Sequence, residues 1–256
     1  MKRIASLLML AARSTLWKAA GITLASCLTE AGLFLAALSG WQDTVRTAYY
    51  EYSNPMGLEG LLMQYPLSWC FRIGLVLVCA VLAFLGWEGS SRVSYTLRRL
   101  SVGHRALTLL WAGYGFFCLL FFWAAHLGTL LALCAAALPR LAPEFSGPQA
   151  LFLACYRDPS LHSLLPLDDC LLWVRNLSMC AALGTMAASF SFQRRMGRRA
   201  FAILPLAALS ALCFPLPMGS FEFGGPAEFL RPYLYDGIFY SADGLPSVLG
   251  PVLLFV

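Results

Sequence analysis

The amino-acid sequence predicts an all-α membrane protein, a polytopic helical bundle of five spanning helices with an N-terminal interfacial helix and a C-terminal apolar stub. Three observations predict it. Apolar residues make up 59% of the 256 and charged residues 12%, against about 45–50% and about 25% in soluble globular chains. Mean hydropathy is +0.70. The apolar residues also gather in runs of about 20, the length that crosses about 30 Å of hydrocarbon at about 1.5 Å per residue. Disordered, collagen-like and coiled-coil chains are excluded, since each needs polar or periodic sequence.

Residues 1–18 come first. Ile4, Leu7, Leu8 and Ala11 share one helix face, Arg13 lies opposite, and Trp17 sits at headgroup depth, as in a helix lying at the membrane interface. Met1-Lys2-Arg3 and the box Leu24-Ala25-Ser26-Cys27 look like parts of a cleaved leader. Arg13 and Lys18 interrupt its apolar region, however, and the apolar run continues past the box, so an uncleaved helix is expected. The spans follow at 19–41, 67–87, 106–138, 171–192 and 200–218. The third is roughly 50 Å long as one helix and must tilt, break near Gly128 or protrude. The apolar piece 245–256 contains Pro246 and Pro251 and is too short to cross. Residues 219–256 therefore read as an extracytoplasmic tail, its stub a re-entrant piece or an incomplete sixth helix. Short surface helices are expected at 58–63 and 148–155. The chain is one transmembrane domain, 1–256.

Basic residues set the orientation. Lys2, Arg3, Arg13, Lys18, Arg92, Arg98, Arg99, Arg105, Arg194, Arg195, Arg198 and Arg199 share the N-terminus, 88–105 and 193–199 with a single acid, Glu88. The positive-inside rule puts these segments in the cytoplasm of a cell membrane and, after five crossings, the C-terminus outside. The net charge of +5 is thus an orientation signal, and no nucleic-acid partner is expected.

Several chemistries have no motif. Lysine occurs at positions 2 and 18 alone, so the Gly-Lys-Ser/Thr phosphate loop is missing. HExxH and GxSxG are absent, and His104, His126 and His162 fall in three segments, too few for a bis-histidine haem. The nine cysteines lie mostly in apolar runs without CxxC spacing and read as packing residues. Cys155 and Cys170 either pair in an outer loop or are both free. No cofactor and no metal ligand is expected. An enzyme built on Asp168, Asp169 and His162 is the least favoured reading.

Four ionisable residues fall inside spans. Arg72 and Arg175 lie roughly 7 Å from the outer helix ends, within reach of snorkelling. Glu30 and His126 lie roughly 16–18 Å deep, where an isolated charge costs about 2.5–3.5 kcal/mol or more. Gly21, Ala25, Thr29, Gly32 and Ala36 occupy an arc of about 80°, a small-residue stripe suited to close helix packing. Glu30 projects about 140° from its centre. Two readings stay open: Glu30, with His126, lines an internal path or interface, or a neutral Glu30 is hydrogen-bonded in packing.

The loop between the second and third spans is the other candidate. Residues 93–100 read as a short helix, broken at Ser101-Val102-Gly103 and restarting at His104-Arg105. Arg98, Arg99 and Arg105 place positive charge beside exposed Leu100 and Val102. A topogenic loop needs the charges alone, whereas an apolar pair beside a break suits a docking knob.

This layout, with the stretch Leu100-Ser101-Val102-Gly103-His104-Arg105 before a long third span, resembles permeases of the type-2 ABC exporter family, the bacterial multidrug and bacteriocin-immunity permeases being nearest in flavour. Members commonly carry Leu-Pro-hydrophobic-Ser/Thr-basic here. Ser101 and Gly103 replace the proline and the hydroxyl residue, and the sixth span is missing or reduced to the stub. The resemblance covers residues 1–200 by layout. It implies a non-catalytic transport subunit, coupled through loop 88–105 to a separate ATP-binding subunit and assembled in the lipid bilayer with a second permease copy or homologue. Arg98, Arg99, Leu100, Val102, His104 and Arg105 would form the docking surface. The other class left open is a small-molecule-binding component of an uptake or sensing system. Tyr49, Tyr50, Tyr52, Tyr233, Tyr235 and Tyr240 would then build an outward pocket rather than an interfacial belt.

Overall fold

Nothing between residues 2 and 48 breaks a helix: there is no proline, and each glycine stands alone. A computed structural model of the chain describes residues 2–48, 58, 61–62, 67–85, 103–141, 146–147, 149–167, 170–195, 204–205 and 208. Helix α1 runs unbroken over Lys2–Ala48, 47 residues, or about 70 Å. The helix therefore continues without a break through residue 18, where the interfacial helix is expected to give way to the first span. Lys18 has high helix propensity, and the same helix simply continues. Leu7, Ala11, Thr15, Ala19, Thr23, Cys27, Glu30, Phe34 and Ala37 are all buried. This seam advances four residues at nearly every step, so it winds around α1 along the helix. Residues 7–15 thus bury a face in protein, while Trp17 stays 81% exposed.

Helix α2 spans Leu67–Ala83 and α3 spans His104–Ala137. The third run neither breaks nor bends out of helix at Gly128. It ends where Pro139 enters a 3-10 turn, Leu138–Arg140, because proline has no amide hydrogen to continue the ladder. Two short helices follow, α4 (Ala150–Arg157) and α5 (Pro159–Leu164), then α6 (Cys170–Arg195). No strand occurs among the described residues. Two helical stretches, Ser6–Ser39 and Arg105–Arg140, are long and apolar enough to cross a membrane, and Ser68–Ala83 is a shorter apolar helix. Residues 171–192, expected as the fourth span, lie within α6, which is not among these helices and carries Arg175, Asn176, Ser189 and Ser191. The expected fifth span, apart from residues 204, 205 and 208, and the tail 219–256 lie outside the described residues.

Cross-helix contacts give the topology. Thr15 Oγ1 lies 3.1 Å from Tyr114 Oη and Ser26 Oγ 2.9 Å from His126 Nε2, so α1 and α3 run parallel. Helix α2 returns between them, with Phe71 against His126 and Leu85 accepting a 2.6 Å hydrogen bond from Ser191 Oγ of α6. Helix α6 is antiparallel to α3. They come into backbone contact at two glycines: a Cβ on Gly184 would lie 2.8 Å from Phe116 N and 2.9 Å from Ala112 O. The result is an up-down-up-down bundle.

Its core has two apolar clusters. One surrounds Phe71, Leu75, Trp111, Leu119, Phe122 and Leu183. The other joins Phe34, Leu38, Leu130 and Cys134 to Leu58, Leu61, Leu62, Ala154, Cys155 and Leu161. The helical residues 58, 61 and 62 are therefore buried rather than lying on a surface. Helix α4 matches the second expected surface helix, and Asp158 caps α5 through a 3.4 Å bond from Leu161 N with Pro159 at the first helical position.

Arg175 is a correction. It does not snorkel: it is 4% exposed, and its Nη2 donates to Ser163 O at 3.0 Å and to Asn176 Oδ1 at 2.9 Å. Asn176 Nδ2 also donates to Ser163 O at 2.9 Å, locking α5 to α6. Arg72 lies over the Trp69 ring, 5.1 Å from its centroid. The small-residue stripe is a second correction, since Gly21, Ala25, Thr29, Gly32 and Ala36 face outward and a Cβ on Gly21 or Gly32 would meet nothing within 4 Å. Cys155 and Cys170 are both free, the first buried and the second exposed. Burial, and secondarily the Asp158 carboxylate, pushes the Cys155 thiol above its ordinary pKa.

Two outcomes follow from this packing. Gly184→Val should destabilise the bundle by about 1–3 kcal/mol, because backbone atoms cannot step aside. Gly113→Ala, with open space around its Cα, should not lower the unfolding midpoint in detergent. Iodoacetamide near neutral pH should alkylate Cys170 well before Cys155, since burial leaves Cys155 both shielded and less ionised; mass spectrometry of peptides from a time course reads the order.

Candidate functional site

Between the two apolar clusters lies a polar layer. Glu30 stands on the buried seam of α1 and His126 on that of α3, where Leu119, Phe122, His126, Leu130 and Cys134 follow one another at three- and four-residue steps. Both are enclosed, Glu30 4% and His126 1% exposed. Glu30 Oε2 lies 2.8 Å from His126 Nδ1, and His126 Nε2 lies 2.9 Å from Ser26 Oγ. Each end of the imidazole is therefore held by α1.

The surrounding residues explain the fixed ring. Phe122 lies 4.5 Å from the imidazole, centroid to centroid, and Phe71 meets it edge-on at 5.5 Å. Gly74 of α2 makes room for this arrangement: a Cβ there would lie 2.9 Å from Phe122 Cζ and 3.0 Å from Ser26 Oγ. Ser26 Oγ also lies 2.9 Å from Ile22 O and 3.0 Å from Thr23 O. A hydroxyl has one proton to give. When Ser26 donates it to a backbone carbonyl, Oγ accepts from His126 Nε2–H; when Ser26 donates to Nε2, His126 directs Nδ1–H at Glu30. In the first arrangement the hydrogen-bonded chain reaches the α1 backbone; in the second it ends at Ser26 Oγ, whose one proton points to Nε2.

Cys27 completes the layer. One ligand-capable atom from each of Cys27, Glu30 and His126 lies within 4.8 Å of the other two. The order serine–imidazole–carboxylate is also that of an activated nucleophile. Here it does not suit acyl transfer. Ser26 is in the middle of α1, where backbone N–H groups are used by the helix and offer no oxyanion donors, and α2 presses on its hydroxyl at Gly74.

The structure thus brings Glu30 and His126, which the sequence offers as partners on an internal path or interface, into direct contact. It adds Ser26, Cys27, Phe71, Gly74 and Phe122. The signal for Ser26 and Cys27 was their place one helical turn before Glu30, on the side of α1 away from the small-residue stripe. Of the docking residues, Arg98, Arg99, Leu100 and Val102 lie outside the described residues; His104 opens α3 and Arg105 is exposed beside it. Asp168, Asp169 and the six tyrosines also lie outside, while His162 is on α5 with its ring 5.6 Å from that of Tyr156.

No protein-family model, curated protein or solved structure matches the chain.

Breaking a buried pair strands the remaining partner. His126→Leu or Glu30→Leu alone should cost about 3–5 kcal/mol, and the double replacement less than the sum of the two. A double-mutant cycle of unfolding in mixed micelles measures the coupling.

Proposed function

We propose that this chain is the membrane-spanning subunit of a transporter, seated in the cell membrane and driven by a separate ATP-binding subunit. The observation that carries the reading is one basic end on a bundle whose outer faces are apolar. Gly115 and Gly184 touch at equal distances from the start of α3 and the end of α6, so Arg105 and Arg194 stand level. Arg194 lies over the Phe84 ring, which places the end of α2 there too, and Thr15 against Tyr114 brings exposed Arg13 to the same end. Leu24, Leu28, Ile73, Leu77, Leu109, Phe117 and Phe121 are exposed along the sides. Large apolar side chains facing outward suit lipid better than water, and a single basic end suits the cytoplasmic face.

The loop 88–105 joins α2 to α3 at this basic end, with Arg98, Arg99, Leu100, Val102, His104 and Arg105 as its docking surface. A motor subunit closing around ATP would pull on that connection. Helix α3 contacts α1, α2 and α6, so a displacement at its start is passed to the whole bundle. The resemblance of this stretch to type-2 exporter permeases supports the same assignment, with a second permease copy or homologue completing the path.

Pull-down of the tagged chain from native membranes should recover a nucleotide-binding subunit. The pair Arg99→Glu and Leu100→Asp should abolish that recovery while leaving membrane insertion unchanged. Recovery of no such subunit by the unaltered chain, or labelling of a Ser101→Cys variant from outside intact cells, would sink the reading.

A further inference from the structure

We infer that Cys27, Glu30 and His126 form a binding site for one transition-metal dication, Zn2+ being the ion that sulfur, nitrogen and oxygen donors together fit best. The inference goes beyond the transport reading and does not rest on it.

The donor set comes from two facing helices. Cys27 and Glu30 are one turn apart on α1, and His126 faces them from α3; bundle cores build metal sites in this way. The three ligand-capable atoms already lie within 4.8 Å of one another. A tetrahedral zinc ion needs them roughly 3.5 Å apart. The Glu30–His126 side is shorter than that, at 2.8 Å, and opens to admit the ion, while Cys27 closes by rotation about one side-chain bond.

The outer shell is present as well. A ligating imidazole ordinarily donates its other N–H to a fixed acceptor, which sets its tautomer. Ser26 Oγ is 2.9 Å from His126 Nε2 and satisfies its own proton on Ile22 O or Thr23 O at 2.9 and 3.0 Å. It is therefore free to accept from Nε2–H, leaving Nδ1 as the metal ligand. The aromatic rings of Phe71 and Phe122 shield the same imidazole.

Charge balance decides which ion fits. A buried layer favours zero net charge. With one proton shared between Nδ1 and Oε2 and another on the Cys27 thiol, the layer is neutral. With a dication bound by a thiolate, a carboxylate and a neutral imidazole, it is neutral again. Binding therefore exchanges one dication for two protons: the S–H and the shared Nδ1/Oε2 proton leave to solvent, and bonds from metal to sulfur, oxygen and nitrogen form. No electron is transferred. Three protein donors leave a fourth coordination position open, as in sites that exchange a ligand rather than closed structural ones.

The test is titration of the purified full-length chain in detergent with Co2+, then with Zn2+. Co2+ should bind one per chain with a sulfur-to-cobalt charge-transfer band, and Zn2+ should displace it. An indicator dye in weak buffer should report two protons released per Zn2+. Cys27→Ser, which breaks no buried pair and should keep the elution volume and helix content of the parent, should lose the band. Ser26→Ala should weaken binding by about 10–100-fold. Failure of the parent chain to bind either ion saturably, an unchanged band in Cys27→Ser, or release of one proton or none would overturn the proposal. Each of these leaves the pull-down result for the ATP-binding subunit unaffected, so the two readings fail separately.

Discussion

A buried hydrogen bond between the His126 imidazole and the Glu30 carboxyl group ties α1 to α3, and the arrangement of the bundle follows from keeping it satisfied. Glu30 and His126 are 4% and 1% exposed, and a charge left alone at that burial costs several kcal/mol. The register of the two parallel helices is therefore specified: a shift of one residue on either helix would carry one partner about 100° around its axis and strand the other. Apolar seams slide past one another with little penalty, because one leucine is much like another. The polar layer supplies the discrimination that Leu, Ala and Phe cannot.

The remaining helices are fitted to this pair. Helix α2 can pass beside Ser26 and Phe122 because position 74 carries no side chain, and α6 can touch α3 because Gly115 and Gly184 face one another. At the far end, Arg175, Asn176 and Ser163 close a second polar lock between α5 and α6. Two locks of different chemistry hold the two levels. One is a carboxylate–imidazole pair between long helices; the other is a guanidinium and an amide satisfied by a backbone carbonyl of a short one.

What faces outward matters equally. Leucines and phenylalanines stand exposed along α1, α2 and α3, whereas Thr15, Thr23, Ser189, Ser191 and Asn176 are buried. The core between the helices is apolar too, so apolar side chains stand on both sides of these helices. In lipid the apolar faces need no covering, and helices associate through small residues and interhelical hydrogen bonds.

Helical class, the positions of α2, α3 and α6 and the α4 segment were legible from residue order, and Glu30 and His126 stood out there as the ionisable residues farthest from the ends of their apolar runs. Hydropathy and run length act along the chain, and local physics suffices to read them. Asymmetry of the arginines likewise reads locally, since it is a count along connections. Continuity of α1 through Lys18, the outward turn of Gly21, Ala25 and Gly32, the burial of Arg175 and the company of Cys27 were not legible. Each depends on which face of a helix meets which neighbour, and for apolar helices the hydrophobic pattern carries little of that information, because nearly every face is apolar. Backbone approach at Gly74, Gly115 and Gly184, and the pairing of residues nearly a hundred positions apart, settled the faces, since close packing and a satisfied buried charge are properties of the assembled bundle.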